Sequence, residues 1–191
     1  MSGAAIAASA SGGRALYRVV HVFVLGIDPG LSRCGYGFVE RGRPPRAVAA
    51  GVIRTDPDLE RPVRLAELQH EIRGLIAERR PDVVAIERVL FQQNVSTAMS
   101  VGQATGIVMA EAAVAGCGVV EYSPNEVKEA VAGWGGAGKD EIGRMVQTLL
   151  GLSDVLEPPD VSDAVAVALC HLARQPSAAV RTRSAGVGRR S

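Results

Sequence analysis

The chain has 191 residues, 47% of them hydrophobic and 21% charged, with a formal net charge of +1. This composition is ordinary for one globular domain and excludes a chain that is disordered throughout. The apolar stretches are shorter than the roughly 18 residues of a membrane helix, and the first residues lack the pattern of a secretion signal. We therefore expect a cytoplasmic protein with no membrane partner. Its three widely spaced cysteines indicate reduced thiols.

The two ends of the chain differ from the region between them. Residues 1–21 are rich in small residues and are predicted to be a disordered extension. Residues 175–191 are rich in Pro, Ser, Gly and Arg, which predicts a disordered basic tail. A single domain is expected over residues 22–174.

Strand and helix patterns alternate along this domain. It opens with an apolar run, Val22–Ile27, that stops at an Asp-Pro-Gly turn and is typical of a buried strand. Two more strands then complete a meander, and helices and strands alternate from there, which predicts an α/β domain with a mixed sheet covered on both faces. The remaining predicted strands are 34–40, 47–54, 83–86 and 118–122, and the main predicted helices are 65–79, 96–116 and 161–173.

Four acidic residues stand where these predicted elements begin or end. Asp28 follows the first strand and Glu87 ends the fourth, while Asp160 and Asp163 open the last helix. Each has an ordinary structural explanation: a turn residue, the exit of a strand into solvent, a helix N-cap, or an acid favoured by the helix dipole. Taken singly, each is better explained by structure than by catalysis.

Taken together, the same four acids indicate a metal site. If the first and fourth strands are neighbours, Asp28 and Glu87 emerge side by side, and a helix starting at that edge adds Asp160 and Asp163 one turn apart. Converging carboxylates repel one another unless cations neutralise them, and oxygen ligands suit Mg²⁺ or Mn²⁺. Two such ions can activate water and stabilise the leaving oxygen of a phosphodiester.

Five blocks stand out along the sequence: VLGIDPGLSRCGYG, VVAIERVLFQQN, TAMSVGQATG, EYSPNEVKEAVAGWGGAGKDEI and PPDVSDAVAVALCH. One block alone is only suggestive, whereas five in order are highly specific. Together, over about residues 22–173, they resemble in order and spacing the blocks of the RuvC family of Holliday-junction resolvases.

The resemblance implies a ribonuclease-H-like fold with a five-stranded sheet, a homodimer, and Mg²⁺-dependent paired nicking of four-way DNA junctions in recombination and repair. It implies that the RuvA–RuvB branch-migration complex is a partner, and that Mn²⁺ can substitute for Mg²⁺. The family's lysines near the scissile phosphate match Lys128 and Lys139, the two lysines of the chain. Its metal-binding catalytic acids match Asp28, Glu87, Asp160 and Asp163.

The sequence departs from the family's pattern in two places. The family commonly has an aromatic residue, which stacks on a base near the crossover, where this chain has Leu90; Phe91 follows and is the expected replacement. Both are counted as candidate DNA-binding residues. Family members also begin almost directly at the first strand, so we expect the true start to lie nearer Val20 or Val22 than Met1.

The sequence is compatible with two other functions. The fold would also suit an RNA-processing nuclease of the same superfamily, or a junction-binding protein without catalysis. The segment 133–140 approaches a phosphate-binding loop, but Asp140 replaces the required hydroxyl and a helix is predicted before it. A second open question is one face of the long helix, which could pack on a second copy or on its own sheet. This face carries Met99, Gly102, Gly106 and Ala110.

Overall fold

The computed structural model describes residues 22–88 and 95–175. Within them the chain forms a sheet of five strands and five helices. The predicted elements are all present, most with ends shifted by one or two residues. The strands are β1 (Phe23–Asp28), β2 (Arg33–Glu40), β3 (Arg46–Arg54), β4 (Val83–Glu87) and β5 (Gly118–Tyr122). The helices are α1 (Arg61–Arg79), α2 (Val95–Val114), α3 (Pro124–Ala132), α4 (Lys139–Leu150) and α5 (Pro159–Arg174).

The sheet has the strand order β3-β2-β1-β4-β5. β1, β2 and β3 are antiparallel neighbours, as the predicted meander requires, whereas β4 runs parallel to β1 and β5 parallel to β4. Ile27 of β1 pairs with Ile86 of β4. The two strands therefore end together at one edge of the sheet, which confirms the predicted adjacency of the first and fourth strands.

The side chains of β1 alternate between two cores. Leu25 and Ile27 face a core shared with α1 and α2, whereas Val24 faces a core shared with α3, α4 and α5. Because strand side chains alternate with period two, Gly26 and Asp28 lie on the same face as Val24. Asp28 is thereby directed toward the α5 layer.

Helix α5 is the central element of that second layer. Its residues are buried on nearly every side, as the apolar sequence predicts. One of them, His171, shares a hydrogen bond of 2.9 Å between its Nδ1 atom and the Tyr122 hydroxyl, so this buried histidine is satisfied by a structural partner.

None of the helices in the described ranges combines the length and hydropathy that a membrane crossing requires.

Helix α2 packs on the sheet through a face that the sequence left undecided. Ala104, Val108 and Ala112 are buried against it, whereas Gly102 and Gly106 are exposed. The face with the small residues is therefore turned away from the sheet, which rules out packing on its own sheet as its explanation.

Helices α1 and α2 are joined by a buried carboxylate. Glu111 of α2 accepts hydrogen bonds from Gln69 at 2.6 Å and from Arg73 at 2.8 and 2.9 Å. These bonds lower the pKa of Glu111 to about 2. A carboxylate whose pKa is lower in the folded than in the unfolded protein stabilises the fold above its unfolded pKa, and this contribution disappears as the pH falls toward 2.

We expect Glu111→Gln to lower the free energy of unfolding by about 1–2 kcal/mol at pH 7, since bonds to a charged group are worth roughly 1.5–3 kcal/mol and the exposed arginine reduces that figure. Urea unfolding between pH 7 and pH 2.5 measures this. The difference from wild type should shrink mainly below pH 4.5. Glu40→Gln, which removes an exposed pair with Arg46, should cost less than about 0.5 kcal/mol at either pH. A difference for Glu111→Gln that does not change with pH would contradict the expectation.

Candidate active site

Two carboxylates come from the ends of neighbouring strands. Asp28 is the last residue of β1 and Glu87 the last of β4, each directly after the paired Ile27 and Ile86. Their carboxyl groups are close enough to interact, and the negative charge of Asp28, after burial, raises the pKa of Glu87. The structure thus brings together two of the predicted site residues, as the strand pattern requires.

Asp160 and Asp163 reach the same edge on α5. The helix begins at Pro159 with Pro158 as its N-cap, so the alternative that Asp160 is the N-cap is wrong: Pro158 occupies that position. Both negative charges are close enough to Asp28 to raise its pKa.

Glycines in the sheet allow α5 to come this near. A side-chain carbon at Gly26 would lie 2.8 Å from the Ala168 nitrogen, and one at Gly35 would lie 2.8 Å from the Asp160 carbonyl carbon. Both distances are too short for real atoms. The helix backbone therefore rests directly on the strands, and this close approach sets the position of Asp160 relative to Asp28.

Basic side chains pair with the two acids of α5. The ammonium of Lys139, the first residue of α4, donates to Asp163 at 3.0 Å, and the guanidinium of Arg33 in β2 pairs with Asp160. Lys128 of α3 lines the same cavity, which measures about 300 Å³. The structure thus gathers all six of the predicted acids and lysines at one edge of the sheet. The residues that line the cavity are Asp28, Glu87, Pro124, Val127, Lys128, Lys139, Ile142, Asp163 and Ala166.

Burial and mutual repulsion perturb the acids. Burial, followed by the charge of Asp163, raises the pKa of Asp28 above its usual value. Burial and the charge of Asp28 raise the pKa of Glu87 in the same way. At Asp160 burial also favours the neutral form, but hydrogen bonds led by that from Arg33 outweigh it and lower the pKa. Carboxylates held this close, with pKa values raised by one another, are typical of sites that bind cations.

The chemistry of the donor set fits a hard cation, although two of the four acids stand in ion pairs. Within residues 22–88 and 95–175, no three metal-ligating side chains are close enough to hold one ion as they stand. Asp160 is engaged by Arg33 and Asp163 by Lys139. Because the side chains of Arg33 and Lys139 are 45% and 78% exposed, a metal could displace them without disturbing the core.

The sequence interpretation missed one residue of this site and named two that cannot be placed. Arg33 was not identified, because nothing in its neighbourhood distinguishes it from other arginines until β2 is paired with β1 and α5 is laid across both. Leu90 and Phe91 lie outside the described residues. The glycine segment before Lys139 does follow a helix, α3, which agrees with the exclusion of a phosphate-binding loop.

A mixed five-stranded sheet that presents clustered carboxylates at the shared end of β1 and β4 defines a nuclease of the ribonuclease-H-like class. Comparison with known proteins gives the family. Residues 24–171 match the family described as crossover junction endodeoxyribonuclease RuvC. The chain belongs to this family, and it is therefore an endodeoxyribonuclease of a metal-dependent kind. The predicted family, fold class and enzyme class are confirmed.

Individual relatives agree with this assignment. The crossover junction endodeoxyribonuclease RuvC of Salinispora arenicola is 48% identical over 171 residues, which cover 85% of this chain and 98% of that protein. The solved structure of Thermus thermophilus RuvC is 35% identical with a TM-score of 0.74, and covers 80% of this chain and 94% of that one. The same protein in complex with Holliday junction substrate gives 32% identity, a TM-score of 0.73 and the same coverage.

Proposed function

We propose that this chain binds four-way DNA junctions and resolves them by paired, symmetric nicks, in homologous recombination and DNA repair. The observation that carries the proposal is the cluster of carboxylates and lysines around one cavity in a chain of this family. A structure of the Thermus thermophilus relative with Holliday junction substrate supports the choice of DNA. The alternatives of an RNA substrate or of binding without catalysis are left to the test below.

The proposed metal ligands are Asp28, Glu87, Asp160 and Asp163, which offer only oxygen donors and so suit Mg²⁺, with Mn²⁺ as a substitute. Two such ions, when bound, would supply an activated water and stabilise the leaving 3′ oxygen. The protein's own part is to hold the four carboxylates together despite their repulsion. Two features hold them there: Asp28 and Glu87 are partly buried at the strand ends, and α5 packs with its backbone directly against the sheet.

The lysines are proposed to act on the phosphate. Lys139 is 78% exposed although its ammonium touches Asp163, so it can turn toward a phosphate while staying beside the acids. Its pKa is raised by that hydrogen bond, which keeps the ammonium charged. Lys128, which also lines the cavity, would add a second positive charge. A compact ammonium is well suited to neutralise phosphate charge.

A homodimer is proposed to place two such sites on opposite strands. The exposed face of α2 that carries Met99, Gly102 and Gly106 supports this, because small residues allow two helices to approach closely. A two-fold axis in the protein would match the two-fold axis of the junction and so explain paired symmetric cuts. The RuvA–RuvB complex, which the family resemblance implies, is the proposed protein partner.

Nicking assays on defined substrates test the proposed function. Wild-type protein is incubated with a mobile four-way junction, a linear duplex of the same sequence, or a structured RNA, each with Mg²⁺, with Mn²⁺, or with a chelator. We expect paired nicks at symmetric positions, in the junction alone and only with a divalent ion, because the acids need a cation to act on a phosphodiester.

Three other results would contradict the proposed function. Cleavage of the RNA with the junction left intact would assign the protein to RNA processing. Tight binding of the junction without nicks under any metal condition would make it a junction-binding protein. Equal cleavage of junction and duplex would contradict structure-specific resolution.

A further inference from the structure

The tryptophan of the glycine-rich loop between α3 and α4 is exposed to solvent. Trp134 is the single tryptophan of the chain, and it is 53% exposed. It lies outside the group of residues that line the cavity and contributes nothing to either core. Single exposed apolar residues are common on protein surfaces, so exposure alone does not indicate a function.

The indole is nevertheless held in place. Its Nε1–H donates to Oε1 of Glu141 at 3.1 Å. Its six-membered ring packs against the backbone of Gly136, where a side-chain carbon would lie 2.6 Å from the ring's Cε3 atom. Any larger residue at Gly136 would therefore push the ring away. An aromatic ring that is fixed on one side and open to solvent on the other loses little conformational entropy when it contacts a ligand.

The position of the ring is tied to the proposed active site. The loop that carries Trp134 ends at Lys139, whose ammonium contacts Asp163. Glu141, which holds the indole, follows Lys139 by two residues, a rise of about 3 Å along α4. A DNA strand that extends from a phosphate on Lys139 across the first turn of α4 would meet this ring.

The charges around the ring select the part of the DNA that it would meet. Asp140 and Glu141 lie in the first turn of α4, and Glu129 of α3 is beside the loop at Gly135. These carboxylates repel a phosphate, so the ring is poorly placed to follow the DNA backbone. A nucleobase is uncharged, and stacking on an aromatic side chain is an established mode of binding for bases that are not already stacked.

We propose that Trp134 is a DNA-binding residue that stacks on an accessible nucleobase next to the strand cleaved in the active site. The inference rests on the proposed function in one respect, namely that DNA crosses the cavity. It adds a base contact, to an unpaired base, to the phosphate contacts of the lysines.

Because Trp134 is the single tryptophan, its fluorescence reports this contact directly. The wild-type protein is titrated, without divalent ions, with a four-way junction, a single strand and a duplex of matched length. Stacking on an accessible base predicts strong quenching by the junction and the single strand and much weaker quenching by the duplex, whose bases are already stacked. Equal quenching by all three would indicate a backbone contact and overturn the inference, as would no quenching by the junction at binding saturation.

Binding measurements on variants supply an independent readout. Trp134→Ala is expected to weaken junction binding about tenfold, and Trp134→Phe, which retains an aromatic face, by less than about threefold. Val63→Ala removes a comparably exposed apolar side chain on α1, on the other side of the sheet, and should leave binding unchanged. Equal losses in the alanine and phenylalanine variants would contradict stacking.

Different results would contradict the stacking role of Trp134 and the proposed function. Wild-type protein that nicks the junction but shows neither quenching nor an effect of Trp134→Ala overturns the stacking role and leaves the proposed function intact. Wild-type protein that neither binds nor nicks the junction overturns both. Thermal unfolding of each variant shows whether a loss of binding reflects a loss of fold.

Discussion

Asp28→Asn is expected to reduce metal-dependent nicking of a four-way junction by at least about 10³-fold, equivalent to roughly 4 kcal/mol of transition-state stabilisation. The amide has nearly the shape of the carboxylate but lacks its charge, and it would replace the central acid of the proposed metal site. Single-turnover nicking with saturating protein measures the loss. Junction binding should persist or tighten, because a negative charge beside the phosphate is removed.

The same variant should be more stable than wild type when no divalent ion is present. Burial and neighbouring acids raise the pKa of Asp28, so its ionised form opposes folding once the pH rises above that pKa. Removal of the charge should raise the Tm at pH 8 by about 2–4 °C for each kcal/mol regained. Addition of Mg²⁺ should then raise the Tm of wild type but not of the variant, which tests the metal site independently of activity.

The matched control is Glu78→Gln, the same kind of change at an exposed residue near the end of α1, at the opposite end of the sheet from Glu87. It should alter neither nicking nor the response of the Tm to Mg²⁺. If the Asp28→Asn protein nicked the junction at more than about a tenth of the wild-type rate, the proposal that Asp28 is a metal ligand would be wrong.

Gly26→Ala is expected to destabilise the protein by about 3 kcal/mol or more, which lowers the Tm by about 6–12 °C. The new methyl group would lie 2.8 Å from the backbone nitrogen of Ala168 and 2.9 Å from its Cβ atom. The helix backbone and a Cβ atom attached to it cannot turn aside as a flexible side chain can, so α5 must shift. A displacement of about 1 Å at Asp160 or Asp163 can reduce the rate about 10²-fold even in folded protein.

Gly74→Ala is the control for this change. Gly74 lies within α1, and a methyl group there would meet nothing within 4 Å. Alanine favours the helix over glycine, so we expect a gain of about 0.5–1 kcal/mol. Thermal and urea unfolding compare the two variants, and nicking is measured below both Tm values. If Gly26→Ala proved as stable as wild type, α5 would not rest on β1 as closely as described.

The strand ends were predictable from the sequence for a physical reason. Apolar runs that stop at a charged residue mark where a strand leaves the core, which located Asp28 and Glu87 before the sheet was known. The parallel pairing of β1 with β4 then brought them together. Local patterns were enough here because each acid belongs to the strand that positions it.

The ion pairs of the site were not predictable in the same way. Arg33 and Asp160 are 127 residues apart, and they meet only because α5 crosses the strands at Gly35. The suggestion that Asp160 is the N-cap of α5 was also wrong. Two prolines, Pro158 and Pro159, allow the helix to begin without a side-chain cap. Contacts of this kind depend on how whole elements pack, and no short window of sequence contains them.

The direct seat of α5 on the sheet makes the two faces of β1 unequal in the sequence changes they can accept. On the side of α1 and α2, Leu25 and Ile27 pack against other side chains. In such a core, a change in the size of one side chain can be compensated by its neighbours. On the side of α5, there is no space for a side chain at Gly26 or at its pairing partner Gly37. In a randomised library we expect varied hydrophobic residues to survive at Leu25 and Ile27, and almost only glycine at Gly26 and Gly37. Changes that adjust stability would therefore accumulate on one face of the sheet, while the face that sets the spacing of the acids stays fixed.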